Sequence, residues 1–410
     1  MQPAARKAFL INAALMVVSL LAIILLGEAA VRILGLYKPK TTQIFYQHDP
    51  QLGWKLKPNA QGKHDTEEYA TFERINAKGL PGPEIPYEKP PGVYRVLFLG
   101  DSYVQGYMVD FADHFTRAFQ ARLISKGIPN DTAPAGVGGY STDQELLFFE
   151  IEGRKYHPDL TVLMFYDNDV WYNNQAFYWR GAKPLFKLEG DRLVLTNVPT
   201  PPPALEEPAP PGMLKKLGWL RRQMVRRLAA HSYLYNYLDR KVQQFSWQAL
   251  TAASGRPGKD AAPPALPEEF GIFARQHPPA IAAAWQVTEA ILARLQREVK
   301  AASSRLLVCY IPNSSAIYDR QWQDTKAKYG IDDAIYSPHQ AGVELAAICR
   351  RLGLDFVDLT PPLKAAAAQY APEGKRVYYV RDGHWNALGH KIVGEFLADA
   401  VLFRYYQDRR

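Results

Sequence analysis

Four short apolar runs recur along the chain, and none of them is long enough to form a buried helix. They are Val93–Leu99, Leu160–Tyr166, Arg305–Ile311 and Phe356–Leu359. The runs are rich in β-branched and aromatic residues, and they lack the strict alternation of apolar and polar positions that half-buried strands show. We therefore predict four strands that are buried on both faces of a sheet.

Between these runs, apolar residues recur every three or four positions, which is typical of helices with one buried face. The predicted helices are Phe111–Ser125, Ser141–Gly153, Pro279–Ser303, Pro338–Leu352 and Leu388–Phe403. Strands that alternate with helices predict an α/β fold in which helices cover both faces of a parallel sheet. The sequence contains no visible internal repeat.

The alternation stops after residue 170 and resumes near residue 269, so we interpret residues 171–268 as an insertion. Its predicted parts are a hairpin, a proline-rich segment and a long helix, in the order Leu185–Val198, Pro199–Pro211 and Met213 to about Phe245. The α/β domain then comprises residues 93–170 and 269–410. Residues 36–92 are predicted to be an ordered lead-in with few regular elements.

An uncharged stretch of 18 residues, Phe9–Leu26, lies near the N-terminus. At about 1.5 Å per residue a helix of that length covers roughly 27 Å, close to the hydrocarbon thickness of a bilayer. Because no Ala-x-Ala-like cleavage site follows, we interpret residues 1–35 as a retained transmembrane anchor. Basic residues lie on both sides of the stretch, so the positive-inside rule leaves its orientation open.

The composition fits a globular protein, with 47% hydrophobic residues in 410 and a net charge of +8. No nucleic-acid-binding motif accompanies the scattered basic residues, so an anionic membrane surface or an acidic glycan is the better partner. The predicted helix from Met213 is basic and amphipathic, and it either lies on anionic headgroups or covers the crevice of the sheet as a solvated lid. Cys309 and Cys349 are predicted to be buried free thiols.

Polar residues follow the predicted strands at their carboxyl ends, where open parallel sheets bind ligands. Ser102 follows Gly100 at the start of a helix, and Asn168 lies just after the next predicted strand. Asp382 and His384 lie in a loop before the last helix. A serine, an imidazole, a carboxylate and an amide donor are the parts that nucleophilic acyl transfer requires.

Several of these residues also have purely structural interpretations. In these interpretations Ser102 is a helix cap without a catalytic role, and Asn168 satisfies backbone groups of its loop. The glycines of the loop Ala135–Ser141, which are Gly136, Gly138 and Gly139, bring the backbone close to a bound group or only make a tight turn. Asp101 and Asp169 are predicted to support loops by hydrogen bonding.

The order of four blocks resembles that of the SGNH (GDSL-like) hydrolases: Gly100-Asp101-Ser102, the glycine loop, Asn168, and the terminal Asp-x-His. The resemblance covers roughly residues 93–170 and 300–405. The stretch Ile75–Leu80 also resembles the membrane-anchored bacterial members. The resemblance implies a flavodoxin-like three-layer α/β/α sandwich and a reaction that needs no metal or organic cofactor.

The same resemblance implies a role for each residue. Ser102 would be the nucleophile, His384 its base, and Asp382 the carboxylate that orients the base. The oxyanion donors would be the Ser102 N–H, the Gly139 N–H and the Asn168 side chain. The implied reaction is hydrolysis of an acyl ester or transfer of its acyl group.

The sequence departs from the family pattern in two places. Tyr166 replaces the glycine of the usual Gly-x-Asn-Asp block, and Asp-x-His is one residue shorter than Asp-x-x-His, which makes Asp358 a rival orienter. The spelling Asp382-x-His384-Trp385 resembles the alginate O-acetylation proteins. Trp385 is predicted either to line the acyl site or to pack in the core.

The sequence thus predicts an extracytoplasmic, single-span serine enzyme that acts on acyl esters, with O-acyl groups of cell-surface polysaccharide as the favoured substrate. One alternative is a lipid esterase or thioesterase. Another is a non-catalytic, membrane-tethered protein that binds or assembles glycans. The remaining histidine of the last helix, His390, is predicted to be a surface or core residue.

Overall fold

The computed structural model describes residues 3–37, 45–202, 212–239, 241–242 and 265–406. The chain divides into two compact units. One comprises Met1–Gln43 and Ala204–Ala262, and the other comprises Ile44–Pro203 and Pro263–Arg410. The second unit contains the central sheet and every residue of the predicted site.

Two antiparallel hairpins precede the central sheet. Their strands are β1 (Tyr46–Asp49), β2 (Gly53–Leu56), β3 (Gln61–Asp65) and β4 (Ala70–Arg74). The prediction of few regular elements in this lead-in is wrong. Only one residue of β3 and one of β4 is buried, so these strands lack the apolar alternation by which a sequence pattern reveals a strand.

The remaining strands are, in chain order, β5 (Tyr94–Gly100), β6 (Asn130–Gly136), β7 (Leu160–Tyr166), β8 (Phe177–Tyr178), β9 (Gly181–Ala182), β10 (Leu185–Glu189), β11 (Arg192–Thr196), β12 (Arg305–Ile311) and β13 (Asp355–Asp358). Strands β8 to β11 form two small hairpins, the second of which lies within the predicted hairpin. The predicted bounds of β7 and β12 are confirmed residue for residue, and those of β5 and β13 differ by one residue.

The helices are α1 (Pro3–Ile33), α2 (Ser102–Gln105), α3 (Phe115–Ile124), α4 (Thr142–Ile151), α5 (Asn168–Tyr172), α6 (Met213–His231), α7 (Pro279–Ala301), α8 (Ser314–Ile317), α9 (Asp319–Tyr329), α10 (Gln340–Leu352), α11 (Thr360–Tyr370) and α12 (Ala387–Tyr405). All five helices predicted between the strands are present with shifted ends. Helices α5, α8, α9 and α11 were not predicted.

The central sheet has the order β13-β12-β7-β5-β6, and all its strands are parallel. Counted along the chain within the sheet, this is the 2-1-3-4-5 order of flavodoxin-like folds. The order reverses between β5 and β7, and at such a reversal the loops leave a crevice at the carboxyl ends of the strands. The predicted α/β class and its flavodoxin-like sandwich are confirmed.

Alternate residues of each strand pack into two separate hydrophobic cores, as a three-layer sandwich requires. Leu97 and Leu99 of β5 face the core that α4, α7 and α10 cover, whereas Val96 and Phe98 face the core that α3 and α12 cover. The Phe98 ring lies 5.1 Å from the Phe115 ring of α3, edge to face. Burial on both faces explains why the strands are continuous apolar runs.

Strand β6 was missed for a physical reason. It contains Asn130, Asp131, Pro134 and Gly136, which are residue types that disfavour strands. The strand lies at one edge of the sheet, where a proline costs no interstrand hydrogen bond on the open side. A sequence rule that excludes proline from central strands also excludes this edge strand, because the sequence alone does not show which strands lie at an edge.

The prediction of one helix from Met213 to about Phe245 is wrong. Helix α6 ends at His231, and Ser232 has an extended conformation with φ −94° and ψ 116°. The Ser232 hydroxyl then accepts a hydrogen bond from Tyr235 N at 3.0 Å, which caps a second helical stretch over residues 233–239. The predicted end at Phe245 lies outside the described residues.

Helix α1 contains the predicted apolar stretch Phe9–Leu26. Its segment Ile11–Ile33 has a mean hydropathy of 2.5 and is, among the described residues, the one helix long and apolar enough to cross a membrane. Length and composition fit an anchor, and they also fit a signal sequence near an N-terminus.

Candidate active site

Strand β5 ends in a sharp turn that presents Ser102. A Cβ added to Gly100 would lie 2.3 Å from Val104 Cγ2, so only a glycine allows this exit from the strand. Asp101 caps α2 by accepting a hydrogen bond from Tyr103 N at 2.8 Å, and burial raises the pKa of its carboxyl to about 6. Asp101 thus supports the turn, as predicted.

Ser102, His384 and Asp382 form one hydrogen-bonded series. The Ser102 Oγ lies 2.8 Å from His384 Nε2, and His384 Nδ1 lies 2.6 Å from Asp382 Oδ1. Although only one residue separates them, the Asp382 carboxylate reaches the His384 ring. The residue between them, Gly383, has a left-handed backbone with φ 82° that turns the two side chains toward each other. The rival carboxylate Asp358 accepts a hydrogen bond from Thr360 N at 2.8 Å instead, at the start of α11.

The Asp382 carboxylate is held in its charged form. Burial alone would raise its pKa, but the hydrogen bond and the charge of His384, with a further bond from the Tyr69 hydroxyl, outweigh burial and lower the pKa below the ordinary value. Tyr69 donates to Asp382 Oδ2 at 3.0 Å. Both carboxylate oxygens are therefore occupied, and an ionised Asp382 fixes which nitrogen of His384 carries the proton.

Glu68, in the turn between β3 and β4, holds the loop that carries Asp382. Its Oε1 accepts hydrogen bonds from Val380 N at 2.7 Å and Arg381 N at 3.1 Å. Its Oε2 accepts from Arg381 N at 3.0 Å and Asp382 N at 2.7 Å. One carboxylate thus binds three consecutive backbone amides, and charge-assisted bonds of this kind are stronger than neutral ones.

The glycine loop and Asn168 lie at the ends of β6 and β7. Gly138 N donates to Gln105 Oε1 at 2.7 Å, and Tyr140 N donates to Val137 O at 3.0 Å. Gly139 lies between them with φ 78°. Its N–H makes no hydrogen bond to the part of the chain that the structure describes. Asn168 is the first residue of α5, directly after Asp167 and the end of β7, and its side-chain NH2 group is the donor that an oxyanion would need. Both groups stay candidates for oxyanion binding.

A buried polar series connects the lead-in hairpins with the glycine loop through Gln105. Besides Gly138 N, the Gln105 Oε1 accepts from the Tyr46 hydroxyl at 2.7 Å, and its Nε2 donates to Glu73 Oε1 at 2.7 Å. Glu73 Oε2 in turn lies 2.7 Å from His64 Nε2. Gln105 ends the short helix that begins at Ser102, so this series fixes the serine and the glycine loop relative to each other.

An aromatic side chain lies over the glycine loop. A Cβ added to Gly139 would meet Trp179 Cε3 at 2.8 Å, and about half of the Trp179 side chain, 51%, stays exposed. The Tyr46 ring contacts the Trp179 ring edge to face at 5.6 Å, and the Arg180 guanidinium lies 4.0 Å above it. These contacts hold an exposed aromatic surface beside the Gly139 amide.

The other predicted residues have structural positions. Asp169 accepts a hydrogen bond from Thr142 Oγ1 at 3.1 Å and supports a loop, as predicted. His390 is a core residue whose Nδ1 accepts from Phe115 N at 3.2 Å, and burial lowers its pKa well below the ordinary value. Trp385 is fully buried against Tyr103, so of its two interpretations packing is the one observed.

Sequence reasoning missed several residues around the site, namely Tyr46, Glu68, Tyr69, Gln105 and Trp179. Four of them belong to the lead-in or the insertion, and none of these four lies in a stretch that resembles a known motif. Glu68 and Tyr69 meet the Asp382 loop across more than 300 positions of sequence. A contact over that separation leaves no periodic or local pattern that one sequence could reveal.

Residues 274–409 match the family described as "SGNH hydrolase-like domain, acetyltransferase AlgX". The matched stretch contains Asp382 and His384, and Ser102 lies outside it. Over this stretch, about a third of the chain, the protein is similar to an SGNH hydrolase-like domain. No curated protein matches the sequence.

Solved structures show a distant likeness. The acetyl xylan esterase AlAXEase is 16% identical with a TM-score of 0.38, over 75% of this chain and 99% of its own. An acetyl-xylooligosaccharide esterase, Axe2 from Geobacillus, is 12% identical with a TM-score of 0.36, over 76% and 93%. A GDSL-like lipase from Bacteroides thetaiotaomicron is 13% identical with a TM-score of 0.32, over 75% and 87%.

The substitution Glu68→Gln tests the support of the Asp382 loop. An amide would turn an NH2 group toward backbone N–H donors, so the loop loses its position, and we expect kcat for ester turnover to fall by up to about 100-fold with little change in KM. The measurement is steady-state kinetics on p-nitrophenyl acetate with folding checked by circular dichroism.

The matched control is Glu67→Gln. Glu67 is the neighbouring acid and pairs with the exposed side chain of Arg381 rather than with the loop backbone. Its loss should change kcat less than about 2-fold, since exposed ion pairs contribute little. Equal effects of the two substitutions would contradict a specific role for Glu68.

Proposed function

We propose that this protein is a membrane-anchored serine esterase or acyltransferase in which Ser102 is the nucleophile, His384 its base and Asp382 the orienting carboxylate. The observation that carries the proposal is the pair of short contacts at His384, 2.8 Å to Ser102 Oγ and 2.6 Å to Asp382 Oδ1. The proposed hydrolase domain comprises residues 93–170 and 269–410, with residues 171–268 as its insertion.

In the first half-reaction, Nε2 of neutral His384 removes the proton of Ser102 as its Oγ attacks the ester carbonyl carbon. The Asp382 carboxylate keeps the proton of His384 on Nδ1 and stabilises the imidazolium that forms. The N–H groups of Ser102 and Gly139 and the Asn168 amide bind the oxyanion, and each such donor lowers the barrier by roughly 3 kcal/mol. The imidazolium then protonates the leaving alcohol, and an acyl-serine remains.

In the second half-reaction, His384 removes a proton from the acceptor as the acceptor oxygen attacks the carbonyl carbon of the acyl-serine. The bond from that carbon to Ser102 Oγ then breaks, and the imidazolium returns the proton to Ser102 Oγ. Water as the acceptor completes hydrolysis, whereas a sugar hydroxyl completes acyl transfer. Both reactions use the same groups.

We propose O-acyl groups of an extracytoplasmic polysaccharide as the substrate. The exposed Trp179 ring beside Gly139 supports this, because an aromatic face offers apolar area on which a sugar ring can pack. Arg180 brings a positive charge to the same surface. The similarity to an acetyltransferase family points to acetyl as the acyl group, and α1 as an anchor would keep the enzyme at the membrane.

The substitution Asp382→Asn tests the assignment of the orienting carboxylate. It leaves an amide where the imidazolium needs a negative charge, so kcat for p-nitrophenyl acetate should fall about 10⁴-fold. Asp358→Asn is the control, and it should change kcat less than about 2-fold because Asp358 contacts Thr360 rather than His384. A large loss in Asp358→Asn with a small loss in Asp382→Asn would reverse the assignment.

The substitution Trp179→Ala tests whether the substrate is a glycan that packs on the Trp179 ring. Loss of the aromatic surface should raise KM for acetylated oligosaccharides by roughly 10-fold or more, while turnover of p-nitrophenyl acetate, which is too small to need that surface, should stay within about 2-fold. Phe177→Ala is the control from the same small hairpin, since Phe177 is also exposed. An unchanged KM for every oligosaccharide, with faster cleavage of long-chain acyl esters, would favour a lipid esterase.

A further inference from the structure

Helix α6 presents a continuous exposed apolar stripe. Five apolar residues follow each other at intervals of three or four, so they lie on one side of the helix. Their exposed fractions run from 39% to 80%. The stripe consists of Met213, Leu217, Leu220, Met224 and Leu228. An exposed stripe of this length on a soluble surface marks an interaction site.

The same helix is strongly cationic. The sequence from Met213 to Leu238 contains six Lys and Arg residues and no acidic residue. At 3.6 residues per turn, Lys216 and Arg227 flank the apolar stripe on one side and Arg221 flanks it on the other. A stripe between cationic borders matches a surface that is apolar inside and anionic at its edge, which is the chemistry of an anionic bilayer.

The end of α6 is fastened to the end of the candidate membrane span. Glu28 of α1 accepts hydrogen bonds from the Ser232 hydroxyl at 2.8 Å, Tyr233 N at 2.9 Å and Leu234 N at 2.9 Å. Arg32 Nε also pairs with Glu28 at 2.7 Å. Glu28 lies in the last two turns of the segment Ile11–Ile33, so these bonds place the C-terminal end of α6 where a span would leave the hydrocarbon.

A cleft separates α1 from α6, and its walls are mostly apolar. It is lined by Ile24, Leu25, Trp219, Leu220, Met224 and Leu228. Glu28, Arg32, Gln223, Arg227 and Ser232 also line it, and Arg32 is already paired with Glu28. Apolar walls with the Arg227 side chain at the edge suit a phospholipid, with its acyl chain inside and its phosphate on Arg227.

We propose that α6 is an interfacial helix that binds anionic phospholipid headgroups of the membrane that α1 crosses, with its apolar stripe in the acyl region. The inference rests on the proposed anchoring by α1. The connection through Glu28 keeps α6 next to the bilayer at a high effective concentration. A single apolar stripe is therefore sufficient to hold the helix in the membrane interface. Leu220, Met224 and Leu228 line the cleft beside α1 and still keep 39% to 58% of their surface exposed, which leaves apolar area for the acyl region.

Site-directed spin labelling of the full chain in lipid nanodiscs tests this inference. The natural Cys309 and Cys349 are buried, so one introduced cysteine at a time reacts selectively. Labels replace Met224 on the stripe, Arg222 on the opposite side and Leu20 within the span, and all three positions are exposed. Collision rates with oxygen, which partitions into lipid, and with a water-soluble nickel chelate report the depth of each label.

In nanodiscs that contain phosphatidylglycerol, the labels at Leu20 and Met224 should collide mainly with oxygen, and the label at Arg222 mainly with the chelate. The Met224 label should lie about 5–10 Å below the headgroups. The combined substitution Lys216→Gln, Arg221→Gln and Arg227→Gln, or purely zwitterionic lipid, should shift Met224 toward the chelate while Leu20 stays unchanged.

A water-exposed Met224 label beside a lipid-exposed Leu20 label would overturn the inference and leave the anchor intact. A Met224 label that is shielded from both reagents would also overturn it, because it indicates a protein contact such as a lid. Water exposure at Leu20 would instead overturn the anchoring. Insertion that does not depend on lipid charge would refute headgroup binding.

Discussion

The whole site depends on holding one short loop in place. Asp382 and His384 are only two positions apart, so their side chains meet at 2.6 Å only while Gly383 keeps its left-handed backbone. Ordering such a loop costs conformational entropy, and Glu68 offsets that cost by binding three consecutive amides with one carboxylate. Tyr69 then completes the hydrogen bonding of Asp382.

The parallel sheet supplies the second half of the arrangement. Ser102 and His384 are 282 positions apart, and they meet because β5 ends at the reversal of strand order, where the loops leave room for a substrate. Gln105 binds both the glycine loop and the lead-in, so α2 cannot shift without breaking buried hydrogen bonds. The lead-in is therefore structurally part of the site, although it lies outside the sheet.

The sequence was sufficient wherever one local pattern determined the outcome. Strands β7 and β12 are continuous apolar runs. The positions of Ser102 and Asn168 just after predicted strands, and of His384 in a loop, placed the predicted site at the carboxyl edge of the sheet. The failures have a common cause, which is that the deciding contact is distant in sequence or lies at a tolerant edge. Strand β6 tolerates Pro134 because it is an edge strand. Glu68 contacts Asp382 across 314 positions of sequence. The break of the long helix at Ser232 depends on a hydroxyl cap that helical periodicity does not reveal.

The central claim is that Ser102 is an activated nucleophile, and covalent labelling tests it most directly. The full-length protein in detergent would be treated with a fluorophosphonate, digested, and the modified residue located by mass spectrometry. We expect a single modified residue, Ser102, with labelling lost in His384→Ala and retained in Asp358→Asn. Modification of another serine, or no modification of a folded protein that still turns over esters, would contradict it.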